Sequence, residues 1–315
     1  MKITDIRTIV VGNPWKNWVF VVVETSDGIS GLGEATGGLS TMPNKEAVEE
    51  IKHLAIGKNP LEISNIVDEL YKALFLKMTP AVAAIEIACW DILGKHLKVP
   101  IYQLLGGKVR DKVRVYANGW YSGERSPENF GEKAKSLADK GYTALKFDPF
   151  GSEYLRLDKE SEIFIKKIVR SVRDAVGPNV ELMIEGHKRF NTVEAIKIAN
   201  WLNEFEVTWF EDPIDNDDID SLIHVSNNSP VRIIAGEGFD DHKDFTRFVS
   251  SNATDIVNPE VMRIGGISGA VKVAGICSSF DAELAFHNAE SPLKTMTNLQ
   301  LCGAINNIYI QECFD

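Results

Sequence analysis

The sequence predicts an α/β protein in which a closed, parallel barrel of eight strands follows a smaller α+β unit. From residue 113 onward, short apolar runs alternate with helical patterns at repeating intervals, which gives eight strands separated by seven helices. Such alternation is typical of a parallel sheet with right-handed crossovers. Before residue 113, β-branched segments come first and helical patterns follow. We therefore expect an α+β domain over residues 1–112 and a barrel domain over residues 113–315.

The first domain begins with strands and ends with helices. β-Branched side chains concentrate in residues 3–11 and 18–25, and a tight turn at 25–28 leads into a third short strand that ends near Glu34. Helical spacing of apolar residues then predicts three helices, at about 45–56, 62–76 and 80–97.

The second domain repeats one unit, a short apolar strand and a helix. The eight predicted strands are VRVYAN (113–118), TALKFD (143–148), VELMIEG (180–186), VTWFEDP (207–213), RIIAGE (232–237), DIVNPE (255–260), AELAFHN (282–288) and NIYIQE (307–312). A doubly wound sheet is the alternative, but eight strands in so regular a succession favour closure into a barrel.

Composition excludes several classes of function. The 315 residues carry a net charge of −11, which opposes binding to nucleic acid or to an anionic membrane surface. The four cysteines are widely spaced and form no CxxC pair, so we interpret them as reduced thiols of a cytoplasmic protein. The amino terminus, MKITDIRT, carries charges where a signal peptide would need an apolar stretch. A small-molecule partner fits this chain best.

Titratable residues collect where the predicted strands end. In a parallel barrel these ends form one rim, and active sites lie there. The residues at this rim are Lys146 and Asp148 on the second strand, Glu185 and His187 on the third, Glu211 on the fourth, Glu237 on the fifth, Glu260 on the sixth, His287 on the seventh and Glu312 on the eighth.

Chance explains part of this pattern. Asp and Glu make up 45 of the 315 residues, so single acids at strand ends are expected, and an isolated acid can cap the following helix. We interpret Asp212 and Asp255 in that way. Two histidines and a lysine at the same rim are harder to attribute to chance. The four other histidines lie in helical patterns and are interpreted as structural or solvated.

Three of the glutamates predict a metal site. Glu185, Glu211 and Glu237 end neighbouring strands, so their carboxylates can converge. Three buried acids without a counter-charge would repel one another and lose hydration, and a cation removes that cost. A set of oxygen ligands with no cysteine suits a hard cation, best Mg²⁺.

The two rim histidines predict acid–base chemistry beside that metal. His187 and His287 lie on roughly opposite sides of the barrel mouth, and Glu260 is placed to accept a hydrogen bond from His287. One histidine would remove a proton alpha to a carboxylate, and the other would protonate a departing β-hydroxyl. Lys146 and the metal would stabilise the enediolate. These are the steps of water elimination.

With these residues in place, the chain resembles the mandelate racemase and muconate lactonizing branch of the enolase superfamily, and within it the gluconate and galactonate dehydratases. The resemblance covers nearly the whole chain. Its marks are AIEIACWDILGKHLKVPIYQLLGG (84–107), YANGW (116–120), ALKFDPF (144–150), IEGHKRF (184–190), WFEDP (209–213), AGE (235–237), IGGISG (264–269) and FHNA (286–289). It implies a (β/α)7β modified TIM barrel with an N-terminal capping domain, one Mg²⁺ and a homo-oligomer.

The resemblance also implies roles for the rim residues. Metal ligands would be Glu185, Glu211 and Glu237; the base would be a His287–Glu260 dyad, the acid His187, and the support of the enediolate Lys146; Glu312, Asp148 and Arg189 would contact the substrate. For Arg189 a surface role is the alternative. The loop near Pro14 to Trp18 would close over the barrel mouth.

Several positions depart from the family pattern. Glu185 and Glu260 stand where many relatives have Asp, Lys188 replaces a common glycine, and Gly238 replaces an arginine. Asp148 stands where racemases and cycloisomerases place a second catalytic lysine, which favours the histidine-based dehydratases. Relatives also continue beyond the eighth strand, so either this chain is part of a longer one or its cap is abbreviated.

The resemblance predicts dehydration of an aldonic acid, such as gluconate or galactonate, to its 2-keto-3-deoxy acid. An acid-sugar racemase or epimerase would use His187 and His287 as opposed bases. A non-catalytic homologue is the alternative from another class.

Overall fold

The computed structural model describes residues 1–38, 40–73, 79–215 and 217–314. Its first part is an antiparallel sheet of β1 (Ile3–Val11), β2 (Trp18–Thr25) and β3 (Ser30–Glu34), in that order, followed by helices α1 (Thr41–Ile51), α2 (Ile63–Ala73), α3 (Thr79–Leu97) and α4 (Ile101–Leu104). Residues 74–76 of the second predicted helix lie outside the described residues. The predicted boundary between residues 112 and 113 stays a prediction; it falls between α4 and the next strand.

The sheet of the first domain packs closely on α3. Along β2, buried side chains alternate with partly exposed ones, and Val19, Val21 and Val23 face the core. On β3, a Cβ atom at Gly33 would lie 1.9 Å from the carbonyl oxygen of Ala84. Glycine at this position therefore allows the strand and the helix to touch.

The second part alternates strands and helices. Its strands are β4 (Val115–Asn118), β5 (Ala144–Phe147), β6 (Glu181–Glu185), β7 (Val207–Glu211), β8 (Arg232–Ile234), β9 (Ile256–Val257), β10 (Glu283–Leu284) and β11 (Gln311–Phe314). Its helices are α5 (Pro127–Asp139), α6 (Lys159–Val176), α7 (Thr192–Leu202), α8 (Ile219–Asn227), α9 (His242–Ser250), α10 (Gly266–Ser278) and α11 (Pro292–Ala304).

The strands close into a parallel barrel. Six of them form one sheet in the order β11-β4-β5-β6-β7-β8, so the last strand pairs with the first. β9 pairs with β10, and Asn258 N donates to Ala235 O at 3.3 Å, which continues the ring after β8. Leu284 bridges to Ile308, just before β11. The closed barrel is confirmed, and the doubly wound alternative is wrong.

The last strand begins later than predicted. Residues 307–312 were expected to form it, but pairing with β4 starts at Gln311 and runs to Phe314. The preceding residues pair instead toward β10, since Tyr309 N donates to Leu284 O. Glu312 therefore lies inside the strand rather than at its end.

One layer of the barrel interior consists mostly of apolar side chains. This layer consists of Tyr116, Ala144, Met183, Trp209, Ile234, Ile256, Ala285 and Ile310. In a strand, residues two apart face the same side. The next inward layer toward the carboxyl ends is therefore Asn118, Lys146, Glu185, Glu211, Gly236, Asn258, His287 and Glu312. Strand periodicity thus places a polar layer directly above an apolar one.

The first domain caps the barrel through buried polar contacts. Glu86 of α3 accepts hydrogen bonds from the backbone N–H groups of Ile267 and Ser268, at the start of α10. Glu34, at the end of β3, accepts from both the N–H and the hydroxyl of Ser291. None of the helices in the described ranges has the length and apolarity needed to cross a membrane.

Candidate active site

A cavity of about 640 Å³ opens at the carboxyl ends of the strands. Its lining joins Lys146, Glu185, His187, Glu237 and His287 with Trp15 of the cap loop, which we define as residues 12–17 between β1 and β2. Trp15 of this loop stacks on Phe314 of β11, with ring centroids 4.9 Å apart. The cap loop therefore lies over the barrel mouth, as predicted.

Lys146 occupies the centre of the polar layer. Its Nζ lies 2.6 Å from Glu211 Oε1 and 3.1 Å from both Glu185 Oε2 and Glu312 Oε1, and its side chain is buried. Burial lowers the pKa of Lys146, but the surrounding carboxylates raise it more, so the net shift is well upward. Lys146 is a fixed ammonium at the base of the cavity.

Glu185 and Glu211 are register neighbours on adjacent strands. Glu211 is fully buried, and its oxygens accept from Asn258 Nδ2 at 2.8 Å and Trp209 Nε1 at 3.1 Å. Glu185 accepts from the N–H of His187 at 2.8 Å. Burial raises the pKa of Glu211 well above its usual value. Lys146 lowers this pKa, and the neighbouring carboxylates raise it again. The carboxylates here are crowded.

Glu237, the third predicted ligand, lies beyond the end of its strand. β8 ends at Ile234, and Glu237 contacts Lys188 Nζ at 3.5 Å and His287 Nε2 at 3.3 Å. Burial raises the pKa of Glu237, but nearby cations, His287 first and then Lys188, lower it to about 2. Glu237 therefore remains an anion at neutral pH.

The three predicted ligands do not form the tightest cluster of possible metal-binding groups. Within residues 1–38, 40–73, 79–215 and 217–314, one trio of His, Cys, Asp or Glu has ligand atoms within 4.8 Å of one another: Glu260, His287 and Glu290. The predicted ligands have cationic partners instead, since Lys146 joins Glu185 and Glu211, and His287 contacts Glu237. Crowded carboxylates attract whichever positive groups are within reach.

The donor set nevertheless fits a hard divalent cation. All three groups offer carboxylate oxygens, and Glu185 and Glu237 line the same open cavity. Burial is the main cause of the raised pKa of Glu211 and the neighbouring carboxylates add to it; a bound cation relieves both the repulsion and the cost of burying the charge.

His287 is part of an enclosed imidazole–carboxylate pair. Its Nδ1 donates to Glu260 Oε2 at 2.6 Å, and its side chain is 16% exposed. Burial lowers the pKa of His287, and Lys294 does so too, but Glu237 and the hydrogen bond to Glu260 outweigh them and raise it to about 10. With Nδ1 fixed on Glu260, Nε2 faces the cavity.

His187 forms a second such pair on a strained turn. His187 and Lys188 have φ values of 48° and 60°, in the left-handed region that non-glycine residues rarely adopt. The ring Nδ1 of His187 lies 2.8 Å from Asp148 Oδ2, and Arg189 Nη2 contacts the same oxygen. Burial lowers the pKa of His187, but Glu185 and Asp148 raise it by more, so the net shift of this pKa is upward. The turn thus aims the imidazole at the cavity.

The three residues predicted to bind substrate have other partners in the structure. Asp148 and Arg189 hold His187, although Asp148 also lines the cavity. Glu312 is fully buried: Oε1 accepts from Asn118 Nδ2 and Oε2 from the N–H of Asn288, both at 2.6 Å. Glu312 Oε1 also lies 3.1 Å from Lys146 Nζ, so Glu312 has buried polar partners on both oxygens.

Sequence reasoning missed a second group of polar residues around Glu260. Lys294 is fully buried, and its ammonium contacts both Glu260 and Glu290. Lys16 of the cap loop lies 2.9 Å from Glu290. These residues lie in a helix and in loops, so the search of strand ends could not find them. One pattern in the sequence could have indicated them: Glu290 and Lys294 are four residues apart around the start of α11, a spacing at which opposite charges can pair.

Comparison with known proteins follows the same division of the chain. A family model described as enolase C-terminal domain-like matches residues 129–315, and the mandelate racemase / muconate lactonizing enzyme N-terminal domain matches residues 7–106.

Two relatives and a solved structure are closely similar. The D-gluconate dehydratase of Thermoproteus tenax is 36% identical over 306 residues, which cover 95% of this chain and 62% of the relative. The D-gluconate/D-galactonate dehydratase of Picrophilus torridus is 37% identical over 311 residues, with 96% and 79% coverage. The crystal structure of a candidate dehydratase from Mesorhizobium loti superposes with a TM-score of 0.96 at 30% identity, covering 100% of this chain and 87% of the other. The chain thus spans less than two thirds of the first relative.

Proposed function

Because the chain belongs to the mandelate racemase and muconate lactonizing branch of the enolase superfamily, we propose that it is an enzyme that dehydrates an aldonic acid, with gluconate or galactonate as substrate, to the 2-keto-3-deoxy acid. The observation that carries the proposal is a pair of imidazoles, each fixed by a carboxylate, that line one cavity with Lys146 at its base. The cavity is large enough for a C6 acid.

In this proposal His287 removes the proton alpha to the substrate carboxylate. Glu260 accepts the Nδ1 hydrogen of His287, so the lone pair of Nε2 is available toward the cavity once the charge of Glu237, which keeps a proton on that nitrogen, is offset. The electron pair of the broken C–H bond moves onto the carboxylate and forms an enediolate. Lys146 stabilises the added negative charge, because its buried ammonium keeps its proton.

His187 then completes the elimination as the general acid. Its proton is transferred to the β-hydroxyl, the C–O bond breaks, and water leaves as the enediolate collapses to an enol, which becomes the keto acid. We assign Asp148 and Arg189 to positioning His187, because Asp148 contacts the ring and Arg189 contacts Asp148. Glu312 is assigned to orienting Lys146. The prediction that these three residues contact the substrate stays a prediction.

We propose Glu185, Glu211 and Glu237 as the ligands of a Mg²⁺ ion. Such an ion would polarise the substrate carboxylate and offset the charge of Glu237, which otherwise keeps a proton on His287.

Calorimetric titration tests the metal. We expect Mg²⁺ to bind the unaltered protein at one site and Glu237→Gln to weaken binding by about tenfold to 100-fold. Glu283→Gln, which changes an exposed carboxylate on β10, is the matched control and should bind like the unaltered protein. Equal Mg²⁺ affinities for the two variants would remove Glu237 from the ligand set.

A panel of C5 and C6 aldonic acids in heavy water tests the reaction. We expect one or more acids to yield keto acid with Mg²⁺ present. Deuterium exchange at the alpha carbon without keto acid would indicate a racemase or epimerase. No exchange, no product and no Mg²⁺ binding would indicate a non-catalytic homologue.

A further inference from the structure

We propose that Lys294, Glu290 and Lys16 are positioning residues that couple the docking of the cap loop to the His287–Glu260 pair. The inference rests on the proposed function for its kinetic part, because it concerns the base of that reaction. Its structural part, the docking of the cap loop, stands on the ion pairs alone.

The ion pairs form one continuous chain of alternating charge. From the cap loop inward, Lys16 Nζ lies 2.9 Å from Glu290 Oε1, and Lys294 Nζ contacts Glu290 Oε2 and then Glu260 Oε2. That last oxygen also accepts from His287 Nδ1 at 2.6 Å. The cap loop and the imidazole are thus joined through four charged side chains.

Every link of the chain is removed from water. The Lys16 and Glu290 side chains are 5% and 4% exposed, that of Lys294 is 0% and that of Glu260 is 8%. A buried charge that loses its partner is strongly destabilised, whereas an exposed pair contributes little. Displacement of any member therefore affects its neighbours.

The order of charges gives the direction of the effect. Without Lys294, two carboxylates would face each other, and Glu260 would move from the position that holds His287. Without Lys16, Glu290 would keep Lys294 as its remaining cation and draw it away from Glu260. Loss of the outermost member is thus expected to reach the imidazole.

A second metal ion is a weaker explanation of this cluster. Glu260, His287 and Glu290 have ligand atoms within 4.8 Å of one another, but the ammonium of Lys294 already contacts both carboxylates. A divalent ion would have to displace a fully buried cation. The residues are better explained as a self-neutralised support.

Hydrogen exchange of the 315-residue chain tests the structural part. We expect amides of residues 12–17 to exchange roughly tenfold faster in Lys294→Met and in Lys16→Met than in the unaltered protein. Lys294 is the informative change, because its ammonium contacts Glu290 and Glu260 rather than the loop. Lys95→Met, which removes a half-exposed lysine paired with Asp91 in the cap, is the control and should leave the loop unchanged.

Kinetics test the coupling to the base. We expect Lys294→Met and Lys16→Met to lower kcat by roughly tenfold to 100-fold, and the double variant to lose little more than Lys294→Met, since residues that act as a unit are not additive. Lys294→Arg keeps the charge and should recover most of kcat. This variant distinguishes loss of the ion pairs from misfolding of the chain. The effect should fall on kcat more than on KM.

Two results would overturn the inference: loop exchange in Lys294→Met equal to that in Lys95→Met, or multiplicative losses of kcat in the double variant. If the unaltered protein neither dehydrates an aldonic acid nor exchanges its alpha proton, the proposed function fails instead. The exchange rates of the cap loop then still support or reject the structural coupling.

Discussion

The barrel mouth carries two imidazoles built on the same plan but in different surroundings. In each, Nδ1 meets a carboxylate, Asp148 for His187 and Glu260 for His287, and a cation in turn holds that carboxylate. The side chain of His187 is 53% exposed, however, and that of His287 is 16% exposed. The shared plan fixes ring orientation, and the difference in enclosure separates the two roles.

Enclosure favours His287 as the base. Burial lowers the pKa of His287, but Glu237 and the hydrogen bond to Glu260 raise it to about 10, so Nε2 holds a proton at neutral pH until the charge of Glu237 is offset. Once that charge is offset, an imidazole whose Nδ1 is fixed on Glu260 presents a free Nε2 that is suited to removing a proton from carbon. The open side, at His187, is where water can leave.

The largest effect that we expect comes from His287→Asn. This change removes the proposed base, so dehydration should fall by about 10⁴-fold, the upper range for general acid–base catalysis. Exchange of the alpha proton with deuterium should disappear as well. His53→Asn, which alters an exposed histidine of the cap, is the control and should have full activity. Persistent exchange in His287→Asn would reverse the two roles.

His187→Asn should separate the two halves of the reaction. Because His187 is proposed to act after the proton is removed, dehydration should fall by roughly 10²- to 10³-fold while exchange of the alpha proton continues. The measurement is keto-acid formation and deuterium content in the same sample. Loss of exchange together with dehydration would mean that the two imidazoles do not have separate functions.

The sequence predicted the barrel because its strands are local features. Each strand is a short apolar run followed by a helix, and the closure of β11 on β4 follows from the count of strands. The boundary of β11 was missed because apolar spacing cannot tell which neighbour a residue pairs with. Residues 307–310 have the pattern of a strand but pair toward β10.

The polar layer was predictable for the same reason, and its surroundings were not. Lys146, Glu185 and Glu211 lie two residues beyond buried interior positions, so strand periodicity locates them. Lys16 and Glu290 are 274 residues apart, and no local pattern links them. Long-range ion pairs depend on how the cap packs on the barrel, which is a property of the folded chain.

The carboxylate partners should have smaller and unequal effects. Glu260→Gln and Asp148→Asn keep the shape of each side chain but remove its charge. We expect kcat to fall by about 100-fold for Glu260→Gln and about tenfold for Asp148→Asn, as for other residues that orient a catalytic imidazole. The difference follows from enclosure, because water can replace Asp148 beside the exposed His187 more readily. Equal losses in the two variants would show that enclosure does not distinguish the pairs.

The smallest effect should come from Trp15, the cap-loop residue that lines the cavity. Trp15 stacks on Phe314 at an interplanar angle of 7° and is not part of either imidazole pair. A stacked aromatic pair contributes about 0.5–1.5 kcal/mol, so Trp15→Ala should raise KM by roughly threefold to tenfold with little change in kcat. Steady-state kinetics on the best substrate measure this split, with Trp15→Phe as the control that keeps an aromatic ring. A fall in kcat comparable to that of Asp148→Asn would instead place Trp15 among the groups that position the chemistry.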